Sequence, residues 1–290
     1  MNPKTLIDTH AHLVSQKGVA RTLRDYCKNP REKEKWMKFS NEFQINLTKE
    51  FSDRWINSAN KYGIKKIILN SMLCTNDELL KIINFNPKKV KGLAYIDPNW
   101  KNLTKELNRL LSNKNILGLG ELGPMWTHVP PTDKKWYNIC KIVSKYNKPM
   151  LFQSGTQMYA FSDFNLGNPL TYDRLIGDFP DQKFIIAHGG KGFYREALML
   201  GEHHENVYVD IAEFFLGLKF LPNEVKPHEI LKRILRIYGY ERVIWGSDSI
   251  FPYSKNPVRY YIDQFKKLGL KQNEIDHIFG LNAEKVYNVT

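Results

Sequence analysis

The chain of 290 residues is long enough for one large domain, and its 42% hydrophobic and 25% charged residues are typical of a globular protein. No apolar stretch approaches the roughly 18 residues that a membrane span needs, so we expect no membrane segment. The formal net charge is +13, but the lysines are spread over nearly every predicted helix. That spread predicts a solvated surface and no nucleic-acid partner.

The start of the chain and its cysteines bear on location. No charged segment followed by a long apolar one precedes the first predicted strand, so we expect no secretory signal. Cys27, Cys74 and Cys140 are widely separated and form no CxxC pair. These features predict free thiols and a cytoplasmic protein.

Short runs of β-branched or aliphatic residues recur along the chain between amphipathic stretches. The predicted strands, in chain order, are residues 5–9, 66–70, 90–96, 116–121, 149–153, 183–188, 206–210 and 242–246. The predicted helices between them are residues 76–85, 103–112, 134–146, 171–179, 193–202, 228–238 and 256–268. Thr75 with Glu78 three residues later indicates a capping box at the start of the first of these helices.

This alternation of strand and helix predicts an α/β fold. Strands that are nearly continuous apolar runs indicate a parallel sheet covered by helices, and eight units favour closure into a (β/α)8 TIM barrel. An open doubly wound sheet is the alternative, but no Gly-x-Gly-x-x-Gly follows the first strand. No linker or repeat divides the chain, so we predict a single domain over residues 1–290.

One segment interrupts the alternation. Residues 13–62 separate the first two strands and are rich in lysine, arginine and aromatic residues. A connection this long is expected to be helical, and it leaves from the strand end that carries two histidines. We therefore predict a helical insertion after strand one, called here the cap segment (residues 13–62), that covers this end of the barrel. A peripheral insertion or a dimer contact is the alternative.

Polar residues stand at the ends of several predicted strands. In a parallel barrel all strand carboxyl ends open on one face, so such residues converge. The polar residues singled out at these ends are His10, His12, Glu121, Gln153, Ser154, His188, Ser247 and Asp248. His10 and His12 alternate along a strand and can aim two imidazoles at one point. Imidazoles and carboxylates that are buried together are costly unless they are paired or bind an ion.

This set of residue types predicts a divalent metal site. Imidazole and carboxylate ligands suit Zn²⁺, and also Mn²⁺ or Fe²⁺. Asp248 is the predicted acceptor of a proton from water, because a carboxylate beside the metal can take it and pass it to a leaving group. His188 is predicted either to bind the metal or to polarise the carbonyl of the substrate.

Other residues near the predicted mouth of the barrel are candidate substrate contacts. Lys191 and Arg195 follow the Gly189-Gly190 turn and are predicted to place positive charge where a substrate carboxylate binds. Trp126 and Phe251 are predicted to line an aromatic pocket, and Gln153 to contact the substrate. The alternative for Lys191 and Arg195 is that they are solvated, and the alternative for the aromatic residues is ordinary packing.

The chain resembles the amidohydrolase superfamily of metal-dependent TIM-barrel enzymes, in the branch that holds both hydrolases and non-oxidative decarboxylases such as aminocarboxymuconate semialdehyde decarboxylase. The motifs that carry the resemblance are Ile7-Asp8-Thr9-His10-Ala11-His12, Ala187-His188-Gly189-Gly190, Trp245-Gly246-Ser247-Asp248-Ser249 and Gly280-Leu281-Asn282-Ala283. The resemblance implies that His10 and His12 are metal ligands and that Asp248 is both ligand and general base. It implies that His188 is a ligand or a substrate-polarising group.

The chain departs from the family pattern at strand five, where the family usually has a histidine and this chain has Gln153. A glutamine offers only a neutral carbonyl oxygen as a ligand. Either Glu121 replaces the lost ligand, or the metal is weakened or lost. Glu121 also resembles the strand-four glutamate that holds metal in TatD-type nucleases.

We therefore expect a metal-dependent hydrolase that activates water for attack on the amide, ester or lactone carbonyl of a small, anionic or aromatic substrate. A decarboxylase or hydratase of the same superfamily is one alternative, and a metal-free barrel that binds a ligand without turnover is another. The resemblance also implies that a homodimer is possible.

Overall fold

The computed structural model describes residues 2–42, 46–155, 161–217 and 226–289. Eight parallel strands follow one another in chain order around a barrel. The strands are β1 (Ile7–His12), β2 (Lys66–Asn70), β3 (Val90–Ala94), β4 (Ile116–Leu122), β5 (Met150–Phe152), β6 (Phe184–Ile186), β7 (Val207–Asp210) and β8 (Val243–Ile244). A parallel bridge between Ala11 and Ser249 joins the last strand region to the first. The predicted (β/α)8 TIM barrel is confirmed.

Helices cover the outside of the barrel. They are α1 (Gln16–Tyr26), α2 (Pro30–Glu42), α3 (Lys49–Lys61), α4 (Asn76–Phe85), α5 (Leu103–Leu111), α6 (Pro124–Thr127), α7 (Lys134–Ser144), α8 (Asp173–Gly177), α9 (Tyr194–His203), α10 (Phe214–Gly217), α11 (Pro227–Tyr238), α12 (Arg259–Lys267), α13 (Gln272–Asp276) and α14 (Asn282–Tyr287). The predicted capping box is present at α4, where the Thr75 and Glu78 side chains each accept the other residue's backbone N–H. Within the described ranges, no helix combines the length and apolar character that crossing a bilayer requires.

Apolar side chains fill the barrel interior, and a helix covers one of its ends. A functional site can therefore form only at the other end. Each strand contributes one buried residue to a central apolar cluster: Ile7, Ile68, Leu93, Leu117, Leu151, Ile185, Tyr208 and Ile244. Ala283 and Val286 of α14 belong to the same cluster. The α14 helix lies where the strands begin, because Asn282 donates a hydrogen bond to the Val243 carbonyl at the start of β8. The amino-terminal end of the barrel is therefore covered, and polar residues gather at the carboxyl-terminal end.

The first helix of the cap segment lies against the loops at the carboxyl-terminal end of the barrel. Gly18 approaches the loop after β2 so closely that a Cβ there would lie 2.2 Å from the Cα of Cys74. The Arg21 guanidinium donates a hydrogen bond to the Cys74 carbonyl at 2.9 Å. The Tyr26 hydroxyl donates to the Asp97 carboxylate at 2.8 Å. These contacts fix α1 to the loops that follow β2 and β3.

The last helix of the cap segment has a different place. Phe51, Trp55 and Ala59 of α3 are buried in the large apolar cluster between the strands and the outer helices. Thus α3 occupies the position of the ordinary crossover helix between β1 and β2, and the part of the cap segment before it is left to cover the barrel end. Residues 43–45 of the cap segment lie outside the described residues.

The cysteines agree with the prediction of free thiols. Cys27, Cys74 and Cys140 are buried, and none of them forms a disulfide. Burial raises the pKa of the Cys74 thiol well above its usual value. A thiol with a raised pKa is a poor nucleophile. These cysteines therefore contribute to packing.

Candidate metal centre

Side chains from four parts of the barrel meet at its carboxyl-terminal end. We call them the donor cluster, which consists of His10, His12, Glu121, His188 and Asp248. Both histidines of β1 aim their Nε2 atoms at one point, and these atoms are 3.2 Å apart. Asp248 Oδ1 lies 2.9 Å from the Nε2 of His12. Glu121 Oε1 lies 3.1 Å from the Nε2 of His188 and 3.8 Å from that of His10.

The backbone takes uncommon conformations to deliver these side chains. The register between β1 and β2 is irregular between Asp8 and Ala11, within the stretch that carries the first histidine. His188 has φ +59° and Asp248 has φ +57°, both in the left-handed region that favours glycine. Such conformations persist where the surrounding structure enforces them, and they concentrate at functional sites.

Two imidazoles are oriented by partners on the side away from the cluster. The Nδ1–H of His10 donates to the Asp210 carboxylate at 2.5 Å, so in the neutral imidazole the lone pair is on Nε2. The Nδ1–H of His188 donates to the Ala212 carbonyl at 2.9 Å, which assigns the lone pair of its neutral form to the Nε2 that faces Glu121. Nitrogen lone pairs and a carboxylate that face one another repel unless a proton or a metal cation lies between them.

The electrostatics of the cluster favour a positive charge. Burial lowers the pKa of His10, but Asp210, Glu121 and Asp248 together outweigh it and raise this pKa to about 10. Burial raises the pKa of Glu121, but the imidazoles of His188, His10 and His12 hold it below its usual value. Asp248 behaves in the same way, and its pKa lies well below the ordinary value. The carboxylates are therefore ionised at neutral pH.

These residues fit a divalent cation. The ligand atoms of His10, His12 and Glu121 lie within 4.8 Å of one another, and so do those of His10, His188 and Asp248. Three imidazole nitrogens and two carboxylates form a donor set that suits Zn²⁺ or Mn²⁺. The geometry supports the interpretation in which Glu121 serves in place of the strand-five histidine.

Gln153 directly follows β5, Lys191 follows His188 by three residues, and both are buried. The Oε1 atom of Gln153 accepts the backbone N–H of Ser154 at 3.1 Å. The Lys191 ammonium pairs with the Glu213 carboxylate at 3.1 Å, and the lysine side chain is only 10% exposed. Lys191 and Glu213 both have positive φ, at +43° and +49°. A buried ammonium at the mouth of the barrel remains a candidate contact for an anionic substrate.

The other predicted substrate contacts occupy varied surroundings. Arg195 is exposed on α9, where its guanidinium lies 5.5 Å from the centre of the Tyr194 ring. Trp126 on α6 is buried and lines a cleft of about 480 Å³ beside α1. Phe251 follows β8 and is half-buried. The structure thus brings His10, His12, Glu121, His188 and Asp248 together, whereas Arg195 lies on an outer helix.

Asp210 is a functional candidate that the sequence-based prediction did not include. It is buried at the end of β7 and orients His10 directly. The signal was available, because a carboxylate at the end of an apolar strand is the same feature that pointed to Glu121 and Asp248. The predicted strand 206–210 ends at this residue, so the same rule identifies it.

A second group of possible ligands lies on the outer surface. His204 Nε2 and His203 Nδ1 lie 2.8 Å and 3.3 Å from Asp173 Oδ1. The three ligand atoms are close enough to share an ion. Because the His203 side chain is 70% exposed, an ion pair explains the arrangement equally well. Metal titrations must distinguish this surface group from the donor cluster.

Fold and geometry together define a TIM-barrel protein with a candidate metal centre at the carboxyl-terminal end of its strands. The sequence profile described as Amidohydrolase matches residues 7–289. The chain therefore belongs to the amidohydrolase family, and the expectation from its motifs is confirmed. Protein fluG of Emericella nidulans is 31% identical over 111 residues, which cover 38% of this chain but only 12% of that protein.

Solved structures with the same fold include both hydrolases and a decarboxylase. An amidohydrolase of Burkholderia multivorans with bound zinc superposes with a TM-score of 0.70 at 12% identity, over 99% of this chain and 100% of that one. The 5-carboxyvanillate decarboxylase LigW of Sphingomonas paucimobilis gives 0.67 at 12% identity, over 99% of both chains. A probable 2-pyrone-4,6-dicarboxylic acid hydrolase of Acinetobacter baumannii gives 0.65 at 17% identity, over 98% and 99%. At these identities the likeness shows the fold.

Proposed function

We propose that the protein is a divalent-metal-dependent hydrolase that cleaves an amide, ester or lactone bond in a small carboxylated substrate. The observation that carries this proposal is the convergence of the donor cluster, in which His10 and His188 present their Nε2 atoms toward ionised carboxylates. Such a set is costly to bury without a cation. The cluster also lies at the end of the barrel where sites of this fold occur.

Within this proposal, His10, His12, Glu121, His188 and Asp248 hold the metal. When bound, a divalent cation acts as a Lewis acid that acidifies water and polarises a substrate oxygen. The Nε2 of His188 lies among the ligand atoms of His10 and Asp248, which supports its role as ligand over its role in polarising substrate.

Asp248 is the proposed proton acceptor. Its side chain is 16% exposed, against 7% or less for the other members of the cluster. It is therefore the member that a substrate or a water molecule reaches most easily. Its lowered pKa keeps it ionised at neutral pH and able to accept a proton. A proton taken by Asp248 then passes to the leaving group.

The burial and pairing of Lys191 support the proposal that the substrate is anionic. A buried ammonium at the barrel mouth, paired with a Glu213 carboxylate that is 34% exposed, can exchange that partner for the carboxylate of a substrate. Two of the proteins with the same fold are named for carboxylated compounds, one as a probable dicarboxylic acid hydrolase and one as a carboxyvanillate decarboxylase. The cap segment before α3 would then cover the bound molecule.

A second candidate function is non-oxidative decarboxylation. It is favoured by the superposition on a 5-carboxyvanillate decarboxylase over nearly the whole chain. In that reaction Asp248 would accept a proton from water and deliver it to the substrate carbon, whose bond to the departing carbon dioxide breaks. The donor cluster and Lys191 would keep the same places, so the reaction must be distinguished by its products.

The test has two parts. The protein is purified without chelator and its metal content measured beside a His203→Ala variant, which lacks the surface group, and an Asp248→Asn variant. We expect close to one equivalent of Zn²⁺ or Mn²⁺ in the wild type and in His203→Ala. Metal below about a tenth of an equivalent, with no rise in melting temperature on adding Zn²⁺ or Mn²⁺, would instead indicate a metal-free ligand-binding barrel.

In the second part, lactones, esters and amides of carboxylic acids are compared with aromatic and unsaturated carboxylic acids as substrates. Hydrolysis that disappears in Asp248→Asn supports the proposal. Release of carbon dioxide without hydrolysis would replace it by decarboxylation. Lys191→Met provides the specificity control, since it should raise KM for carboxylated substrates more than for their neutral amides.

A further inference from the structure

Asp8 is fully buried two residues before His10, and its carboxylate accepts four hydrogen bonds. Oδ1 accepts the backbone N–H groups of Ser247 at 2.9 Å and His10 at 3.2 Å. Oδ2 accepts the hydroxyls of Ser247 and Tyr253, both at 2.5 Å. Three of these donors lie in residues 247–254, which we call the strand-eight loop. One carboxylate thus fastens this loop to β1.

Asp248 is the residue of the strand-eight loop that enters the donor cluster. Its positive φ is a strained conformation that its neighbours must enforce. Ser247 before it is bonded to Asp8, and the N–H of Ser249 after it donates to the Ser247 hydroxyl at 3.0 Å. The N–H of Asp248 donates to the His10 carbonyl at 2.6 Å. The place of the Asp248 carboxylate therefore depends on Ser247, and through it on Asp8.

Tyr253 connects the same carboxylate to the outer layer of the fold. Its backbone N–H donates to the Ser58 hydroxyl on α3 at 3.1 Å. Its ring meets the Trp55 ring edge-on, with the ring centres 5.3 Å apart. Trp55 is completely buried on α3. The strand-eight loop is thus held between Asp8 on one side and α3 on the other.

We infer that Asp8 is a positioning residue for Asp248, and that Tyr253 transmits to it the constraint supplied by α3. Asp8 acts through Ser247 on the backbone that presents the Asp248 carboxylate to the metal centre. Its chemistry suits this role because an ionised carboxylate only accepts, with about four lone-pair positions for the four donors. The inference rests on the proposed function in one respect, namely that a divalent cation binds the donor cluster.

The test compares Asp8→Asn and Tyr253→Phe with a matched control, Thr9→Val. The Thr9 hydroxyl also ties β1 to the β8 region, since it donates to the Trp245 carbonyl at 2.8 Å, but its partner lies before the strand-eight loop. Mn²⁺ affinity is measured by calorimetric titration, and the melting temperature of the metal-free proteins is recorded. All proteins carry His203→Ala, so that the surface group adds no binding. Steady-state kcat and KM complete the comparison once a substrate is found.

We expect Asp8→Asn to weaken Mn²⁺ binding about 10-fold, the lower end of the effect of removing a partner that orients ligands. Tyr253→Phe, which removes one of four hydrogen bonds and keeps the ring, should weaken it about 3-fold and lower kcat with little change in KM. Thr9→Val should lower the melting temperature and leave Mn²⁺ affinity within about 2-fold of the wild type, since the Thr9 hydroxyl bonds to the Trp245 carbonyl and not to a member of the donor cluster.

The outcomes separate this inference from the proposed function. If Asp8→Asn fails to fold, Tyr253→Phe decides alone. Variants that melt earlier but bind Mn²⁺ as the wild type does would show that Asp8 is merely structural. A wild type that binds Mn²⁺ without turning over any substrate rejects the proposed reaction and leaves the affinities to judge Asp8. A wild type that binds no Mn²⁺ overturns both.

Discussion

His10 shows at the scale of a residue how an orienting partner prepares a ligand. The Asp210 carboxylate fixes a proton on Nδ1, so that Nε2 is the nitrogen that faces the cluster and can bind a metal. Partners of this kind determine the tautomer and the ring orientation of metal-binding histidines. The result is a ligand that needs no rearrangement when a cation arrives.

Replacing Asp210 by asparagine tests this arrangement. The amide no longer stabilises the donor tautomer of His10 by charge, so we expect affinity for Zn²⁺ to fall about 10- to 100-fold. The measurement is a competition titration against a chelator of known affinity. Asp263→Asn, on the exposed surface of α12, is the control and should bind Zn²⁺ as the wild type does. Equal affinities for the two variants would contradict the role given to Asp210.

The raised pKa of His10 leads to a dependence of stability on pH. Because this pKa rises from 6.5 to about 10 on folding, protonation stabilises the metal-free protein fully below pH 6.5. This contribution is lost as the pH rises toward 10, with a slope of up to about 1.4 kcal/mol per pH unit.

Urea unfolding between pH 6.5 and pH 9.5 with chelator present should therefore show a decrease in the free energy of unfolding. With saturating Zn²⁺ the decrease should disappear, because the metal takes the place of the proton. His10→Gln supplies the control, since it removes the titrating group. A decrease that persists in this variant would show that another group is responsible.

Asp8 and Asp210 differ in how far the sequence could reveal them. Asp210 ends a strand, and the rule that found Glu121 and Asp248 applies to it without change. Strict alternation places Asp8 on the same side of β1 as His10. The register irregularity after Asp8 breaks this alternation, and the side chain bonds to Tyr253 instead. Such an irregularity leaves no trace in a single sequence.

At the scale of the elements, local signals were sufficient for most of the barrel. The bounds predicted for β2 and α4 match the structure, and α4 has the predicted capping box. The strands β5, β6 and β8 are shorter than predicted. Polar residues such as Gln153 and His188 ended the predicted strands, but in the structure they lie past the last strand residue. Hydrophobic runs alone do not show where hydrogen bonding between strands ends.

The cap segment has two roles, because α1 lies over the end of the barrel and α3 packs on its side. Only tertiary contacts distinguish these roles. From the sequence alone, the aromatic residues of the cap segment could either cover the end of the barrel or pack into its hydrophobic core. Trp55 and Phe51 are buried against the barrel, whereas Trp36 on α2 is only partly buried. Only the packing of α3 against the outer layer shows that this helix is part of the barrel.

Gly18 allows the docking of α1 to be tested. A Cβ at this position would lie 2.2 Å from the Cα of Cys74 and 2.3 Å from the carbonyl oxygen of Leu73. Backbone atoms cannot yield easily, so Gly18→Ala should push α1 away from the barrel at a cost of about 1–3 kcal/mol. Hydrogen exchange of residues 16–26 should accelerate, while that of β4 should not. Lys17→Ala, exposed on the same helix, should leave both rates unchanged.

At the scale of the whole molecule, metal binding and stability are linked. A ligand that binds only the folded state at 100 times its Kd stabilises the fold by about 2.7 kcal/mol. For a chain of this size that corresponds to a rise of about 5 °C in melting temperature. We expect Zn²⁺ or Mn²⁺ to produce such a rise in the wild type and none in a His10→Gln, His12→Gln double variant. Mg²⁺, which favours oxygen ligands, should have a smaller effect.

The positive charge of the molecule leads to a separate expectation. Because the +13 surplus is scattered, we predict no binding to single-stranded or double-stranded DNA at about 150 mM salt, which is testable by fluorescence anisotropy. A dissociation constant below about 1 μM at that salt concentration would contradict this expectation. A homodimer and a cytoplasmic location also stay predictions, and light scattering of the purified protein checks the first.

The junction of β1 with the region after β8 has a consequence for biosynthesis. The ribosome releases His10 and His12 well before Asp248 and the residues that bond it to β1. During that interval a nascent chain carries two imidazoles without the carboxylate that completes their set. The full donor set of the proposed metal centre therefore exists only after the first strand and the region after β8 have met.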